Sequence, residues 1–177
     1  MALVATVGAA NADSYITLAE ADAYLAARFG TAAWDALSDD DKEKALRQAT
    51  REVDRHRFRG SKAFVDGSLQ FPRYEQSEAL TVNPRSVREA CAEQALWIAA
   101  NAANGGRSDR QKLQADGVQA WAVGDASETL GPGGGGSLSP LCPDARALLV
   151  RWISRTGRLI SDREQASNGR RIWPLSP

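Results

Sequence analysis

Residues 83–100 read NPRSVREACAEQALWIAA, and this stretch decides the fold. Asn83 supplies a helix N-cap, and Pro84 occupies a first helical position, where its missing N–H is not needed. Apolar side chains then recur at helical spacing, which predicts one buried face: Val87, Cys91, Ala95, Ile98 and Ala102. The many alanines allow other helices to approach closely, so the chain is expected to be a helical protein built around this segment.

A first helix is predicted upstream, where Thr17 and Glu20 have the spacing of a capping box. It is expected to run to about Phe29, because Gly30 would stop it. Its apolar side is predicted to be Leu18, Ala21, Leu25 and Phe29.

A second helix is predicted to begin at Ser38, because an N-cap residue is followed there by three aspartates that suit the helix dipole. It is expected to close at Gly60. Its buried stripe is predicted to be Ala45, Leu46, Ala49 and Val53. Arginines such as Arg51 and Arg55 alternate with acidic residues on the outer side, a pattern typical of a solvated surface.

Downstream of residue 104 the pattern changes. Asp116-Gly117 is a two-residue turn signal, and the apolar residues flanking it predict a β-hairpin: Leu113, Ala115, Val118, Ala120 and Ala122, with Trp121 and Val123 facing the other way. An isolated hairpin is marginal in water, so it should lean on the bundle or on another subunit. Residues 131–137 read GPGGGGS, a flexible connector, so the hairpin and loop should span about 107–139.

A fourth helix is predicted from Asp144 to Ser154, followed by a stretch with little apolar content. The expected fold is therefore mainly α: a four-helix bundle with a β-hairpin or long-loop insertion and an extended C-terminal tail. The helical domain would span 1–156, and the tail would span 157–177.

The end of the chain is basic. From residue 144 onward there are seven arginines and three acidic residues, a local net charge of plus four. Three interpretations are open: protein docking through arginine and tryptophan anchors, a solvated disordered end, or phosphate contacts with nucleic acid. Protein docking is favoured, because Arg and Trp are enriched in protein hot spots. The candidate anchors are Arg158, Arg163, Arg170, Arg171, Ile172 and Trp173.

The composition of the chain argues against a catalytic or metal-binding role. The 22 basic and 22 acidic residues cancel, so a charged partner must be met locally. His56 is the single histidine, and Cys91 and Cys142 lie far apart without metal-ligand spacing. No catalytic residue, metal site or cofactor is predicted. A soluble intracellular protein without a membrane span is expected, since no apolar stretch is long enough to cross a bilayer.

Several short motifs, in this order, resemble tailed-phage head-to-tail connector (adaptor) proteins, whose members are often labelled DnaT-like single-stranded DNA-binding proteins. The motifs are ANADSYIT at 10–17, ADAYLA at 21–26, Ala33-Trp34, RFRG at 57–60 and FPR at 71–73. The resemblance covers about residues 8–125 and the late helix. It does not extend to the glycine-rich insert or to the arginine-rich end.

The connector resemblance implies a structural virion protein in the phage neck, present in the host cytoplasm during assembly. It implies a twelve-membered ring under the portal that extends the DNA channel, with packaged double-stranded DNA passing through unbound. The implied partners are the portal protein, copies of the chain itself and the next neck or tail protein; no catalytic residue is implied. On this hypothesis the tail anchors dock onto the portal or a neighbour. The hairpin contacts the adjacent subunit or lines the lumen through Leu113, Asp116, Gly117, Val118 and Trp121.

The family label supplies the alternative, a single-stranded DNA-binding replication accessory protein. Such a role needs a basic groove with aromatic side chains for base stacking. Because the basic residues of the predicted helices alternate with acids, weak DNA binding and a connector role are expected. A third possibility is an unrelated helical interaction module.

Overall fold

The computed structural model describes residues 2–74, 79–115, 120–123, 126–129 and 141–154. These form a mainly helical bundle, as the sequence predicts. The elements are α1 (Leu18–Ala26), α2 (Ala32–Asp35), α3 (Asp39–Asp54), α4 (Arg85–Ala100), a 3-10 turn (Ala102–Asn104), α5 (Asp109–Ala115), β1 (Ala120–Val123), β2 (Ala126–Thr129) and α6 (Pro143–Leu149).

Helix α4 is the centre of the bundle and contacts α1, α2, α3 and α6. The predicted stripe is buried at Val87, Cys91, Ala95 and Ile98, whereas Ala102 lies beyond the helix and is exposed. Helices α3 and α6 make the most extensive contacts with α4. The other buried positions of α4 are Ala90, Ala92, Glu93, Gln94 and Leu96. None of the described helices combines the length and the apolar content that a membrane crossing needs.

Both predicted helix starts in the N-terminal half are confirmed. The Thr17 hydroxyl accepts from the Glu20 amide at 3.3 Å while Glu20 accepts from the Thr17 amide at 3.0 Å. The Ser38 hydroxyl accepts from the Asp41 amide at 3.2 Å. The prediction for Phe29 is wrong: α1 ends at Ala26, so Phe29 leaves the apolar side and is 98% exposed.

The second helix ends at Asp54, not near Gly60. Beyond it, residues 57–59 are extended, and Phe58 forms an antiparallel bridge with Ile153. The Phe58 ring is buried against Phe71 at a centroid distance of 4.7 Å. This aromatic contact and the bridge explain why the chain leaves the helix early.

The hairpin exists, but its predicted turn is wrong. Strand β1 pairs antiparallel with β2, with Val123 opposite Ala126, so residues 124–125 connect the strands. Leu113 lies instead on α5. The physical reason is a capping box that starts this helix: Ser108 Oγ accepts from the Gln111 amide at 3.3 Å, and Gln111 accepts from the Ser108 amide at 3.0 Å.

The fourth helix is also shorter than predicted. Helix α6 ends at Leu149, and Trp152 is buried in the turn that follows, with its Nε1 donating to Ser86 Oγ at 3.0 Å. The glycine-rich connector at 131–137 and the tail at 157–177 lie outside the described residues. The predicted division into a domain and a tail therefore stays a prediction.

Candidate functional site

The outer side of α3 carries a basic stripe. Lys44, Gln48, Arg51 and Arg55 stand at positions i, i+4, i+7 and i+11, which share one side of a helix. At 1.5 Å per residue the stripe is about 16 Å long. The opposite side of α3 supplies the core residues Leu46, Ala49 and Val53, so burial of that side forces the stripe outward.

The two acidic residues between Arg51 and Arg55 are bound by hydrogen bonds from other side chains and from the backbone. Glu52 accepts from Gln94 Nε2 at 2.6 Å and from Gln48 Nε2 at 3.1 Å. Asp54 accepts from the Gln70 amide at 3.0 Å and from the Tyr15 hydroxyl. Both carboxylates are half-buried, whereas Arg51 and Arg55 are exposed. The arginines therefore reach further into solvent than the carboxylates that alternate with them along the sequence.

A groove of about 460 Å³ runs beside the stripe. Five of its eight lining residues are basic and one is acidic; the lining is Lys44, Arg47, Gln48, Arg51, Glu52, Arg55, Gly105 and Arg107. Gly106 permits the turn that brings Arg107 to α3. Its φ is +82°, and a Cβ there would lie 3.0 Å from Gln48 Nε2.

Two of the basic residues in this groove are already neutralised. Arg47 donates to Asp13 at 2.8 Å and to Glu43 at 3.0 Å, and the hydrogen bond to Asp13 is the main reason that the pKa of Arg47 is raised. Lys44 pairs with Asp41 at 2.7 Å. The remaining three, Arg51, Arg55 and Arg107, form no ion pair within the described part of the chain. They are available to an anionic ligand.

The positive surface continues into residues 57–59, which we call the arginine loop. The Arg59 amide donates to the Trp152 carbonyl, and the Ser154 amide donates to the Arg57 carbonyl, each at 2.8 Å. This pairing directs Phe58 into the core and leaves Arg57 and Arg59 exposed.

Arg73 holds the arginine loop from inside. Its side chain is buried, and it donates to the carbonyls of Arg59 at 2.6 Å, Gln70 at 3.2 Å and Phe58 at 3.3 Å, and to that of Gly60. A guanidinium has five N–H donors in a fixed fork, which suits several carbonyls at once. The FPR motif at 71–73 was the sequence signal for this residue, but its partners could not be identified from it.

A second hollow, of about 400 Å³, lies on the other side of Arg51 and Arg55. It shares these two arginines with the groove, so they stand between the two depressions. The rest of its lining mixes apolar and acidic side chains: Ala12, Asp13, Thr50, Asp54 and Leu69.

In the described region the two thiols are buried, and the histidine ring contacts a backbone carbonyl. Burial raises the pKa of Cys91 to about 11, and it also raises the pKa of Cys142. The His56 ring contacts the Glu52 carbonyl at 3.1 Å. Among the residues that the structure describes, no three His, Cys, Asp or Glu side chains are grouped so as to hold a metal ion.

The site residues proposed from the sequence are not brought to this surface by any described contact. Leu113 lies on α5, and Trp121 lies in β1 opposite Glu128. The remaining hairpin candidates, Asp116, Gly117 and Val118, and all six tail anchors fall outside the described residues. Their contacts stay predictions. Sequence reasoning assigned the α3 arginines no role, although the spacing of residues 44, 48, 51 and 55 was visible.

A family model described as "Putative DnaT-like ssDNA binding protein" matches residues 1–163. No curated protein and no solved structure matches the chain. The family match overturns the expected role as a head-to-tail connector, since it agrees with the DNA-binding alternative. It gives no support to a portal, a ring or a virion location.

Proposed function

Because the chain belongs to the DnaT-like single-stranded DNA-binding family, whose model spans residues 1–163, we propose that it binds single-stranded DNA through the phosphate backbone. The family is one of binding proteins, which accords with a role other than catalysis. One observation carries the assignment of the site: the arginines of α3 and of the arginine loop are exposed and form no ion pair within the described residues, whereas Glu52 and Asp54 between them are half-buried and accept hydrogen bonds from other segments.

Five arginines form the proposed contact surface: Arg51, Arg55, Arg57, Arg59 and Arg107. All five are exposed. The planar guanidinium can donate two parallel hydrogen bonds to one phosphate, which favours arginine over lysine at such contacts. Because the side chains follow one helix side and the adjoining loop, they suit a continuous strand better than a single small anion.

The local charge pattern also costs stability, which supports a binding role. Arg51 and Arg55 are an i, i+4 pair of like charge, and such pairs destabilise a helix by about 0.2–0.5 kcal/mol. Neither arginine forms an ion pair within the described residues, although Glu52, Asp13 and Asp54 line the neighbouring depressions. A bound phosphate would relieve the repulsion.

The neutral overall charge does not oppose this role. Acidic residues concentrate elsewhere, for example in the first turn of α3 at Asp39, Asp40 and Asp41. Charge screening limits their influence at the far end of the helix, because the Debye length is about 8 Å at physiological ionic strength. DNA binding is governed by the local surface.

The arginine-rich C-terminal segment is a candidate extension of the same surface. Ser154 is the last described residue before it, and its amide donates to the Arg57 carbonyl at 2.8 Å. The segment therefore starts beside the arginine loop. This placement favours the nucleic-acid interpretation of its arginines over docking onto a protein.

Fluorescence anisotropy with a labelled oligothymidylate at several salt concentrations tests the proposal. Each phosphate neutralised on a single strand contributes about −0.7 to the slope of log affinity against log salt. The double variant Arg51→Gln/Arg55→Gln should therefore lose affinity and flatten the slope by roughly 1.4. A charge-matched control is Arg85→Gln/Arg146→Gln, which removes two exposed arginines from α4 and α6.

The control should keep the wild-type slope, and both variants should keep the wild-type circular dichroism. Absence of wild-type binding at low salt would refute the function. Equal weakening by both double variants would refute the site, since it would reflect total charge alone.

A further inference from the structure

Phosphate contacts alone do not select a single strand over a duplex, because both present a negatively charged phosphate backbone. To prefer single-stranded over duplex DNA, the protein needs a group that contacts only unstacked bases. An exposed aromatic ring is such a group, because a free base can stack on it. Among the residues whose side-chain burial the structure describes, the aromatic side chains with substantial exposure are Phe29 at 98%, Tyr74 at 62% and Phe64 at 39%.

Two of these rings are poor candidates: Phe64 packs against another segment of the protein, and Phe29 lies away from the arginine loop. Phe64 lies against Gly8, where a Cβ would approach its ring to 2.7 Å. Phe29 follows Arg28, which pairs with Glu93 and with Asp144 in the first turn of α6. The arginine loop lies at the other end of α6, beside Trp152.

Tyr74 adjoins the arginine loop. Its amide donates to the Ser61 carbonyl at 3.1 Å, and the Ala63 amide donates to the Pro72 carbonyl at 2.9 Å. These bonds flank an antiparallel bridge between Lys62 and Arg73. Ser61 is two residues from Arg59, so Tyr74 lies across from the end of the arginine loop.

The Tyr74 ring faces solvent. Arg73 is buried at 7% exposure, whereas Tyr74, the next residue, is 62% exposed. The carbonyls of Phe58 and Arg59 accept from the Arg73 side chain, and the Ser61 carbonyl accepts from the Tyr74 amide. The backbone that carries Tyr74 is therefore tied to the backbone of the arginine loop.

We propose that Tyr74 stacks on a base of a strand whose phosphates contact Arg57 and Arg59, and that it sets the preference for single-stranded over duplex DNA. The inference rests on the proposed function and deepens it. In a duplex each base is already stacked within the helix, so the ring gains no equivalent contact. Stacking on one base is insensitive to sequence, because every base has a π-face.

The test compares Tyr74→Leu, Tyr74→Phe and the control Phe29→Leu for binding to an oligothymidylate and to a blunt duplex of equal length. Loss of one stacked base is expected to weaken single-strand binding by roughly tenfold in Tyr74→Leu. Duplex binding should be unchanged. Tyr74→Phe keeps the ring and should bind as the wild type does, as should Phe29→Leu.

Photocrosslinking gives a second readout. An oligonucleotide carrying 5-iododeoxyuridine should form an adduct on the tryptic peptide that begins at Tyr74, since trypsin cleaves after Arg73. Unchanged single-strand affinity in Tyr74→Leu, equal loss for duplex, or adducts confined to other peptides would overturn the stacking role. Failure of the wild type to bind any single strand would overturn the proposed function as well, so the two failures are distinguishable.

Discussion

Replacing Gln94 tests how the bundle positions the basic stripe. Gln94 lies on α4 and is fully buried. Its side-chain carbonyl accepts from the Cys142 amide at the start of α6 at 2.7 Å, and its Nε2 donates to Glu52 on α3 at 2.6 Å. One side chain therefore connects three helices and fixes the position of the Glu52 carboxylate.

The expected loss in the free energy of unfolding for Gln94→Leu follows from these two hydrogen bonds. A buried N–H without an acceptor costs about 1–3 kcal/mol, and a lost hydrogen bond to a charged group costs about 1.5–3 kcal/mol. Glu52 keeps Gln48 as a donor, which favours the lower end of the second range. Burial of the apolar leucine side chain should restore about 1 kcal/mol of the free energy of unfolding. The net loss in the free energy of unfolding should be roughly 2–3 kcal/mol.

Urea unfolding followed by circular dichroism measures this loss. For a chain of this size it corresponds to a fall in Tm of roughly 4–12 °C. Gln48→Leu is the matched control, because its bonds to Glu52 at 3.1 Å and to the Gly105 carbonyl at 3.5 Å lie at the groove. It should cost under about 0.5 kcal/mol. If Gln94→Leu is as stable as the control, the described network does not hold the three helices together.

Two further predictions concern the C-terminal segment and the thiols. Removing residues 155–177 should leave the helical circular dichroism unchanged and lower both the affinity for an oligothymidylate and its salt slope, because five arginines are lost; an unaltered salt slope would argue that the segment does not contact DNA. Cys91 has a pKa of about 11, so at pH 8 about 0.1% of it is thiolate, and Cys142 is also buried with a raised pKa. Both cysteines should therefore resist Ellman's reagent in the folded protein and react at once in urea, whereas rapid reaction without denaturant would contradict their burial.

The positions of most helix starts could be predicted because they depend on residues close together in the chain. Thr17 with Glu20 and Ser38 with Asp41 are local caps, and they appear in the structure as the spacing predicts. The same local rule applies to Ser108 and Gln111, whose capping box starts α5 in a segment where the turn signal at Asp116-Gly117 predicts a hairpin.

The candidate site was missed for a different reason. Reading Arg51, Glu52, Asp54 and Arg55 along the chain shows alternating charge, which suggests a neutral surface. The partners that donate hydrogen bonds to the two acids, Gln94, Gln70 and Tyr15, lie far away in sequence. No local spacing predicts such contacts.

The amino-acid sequence by itself determined that this is a mainly helical protein built around α4, because helix caps and apolar periodicity act between residues three or four positions apart. Three features needed the tertiary structure: the pairing of Phe58 with Ile153, the support of the arginine loop by Arg73, and the hydrogen bonds that Glu52 and Asp54 accept from other segments. These contacts join distant segments. Their formation depends on how the packed helices bring those segments together, which leaves the arginines more exposed than the acids between them.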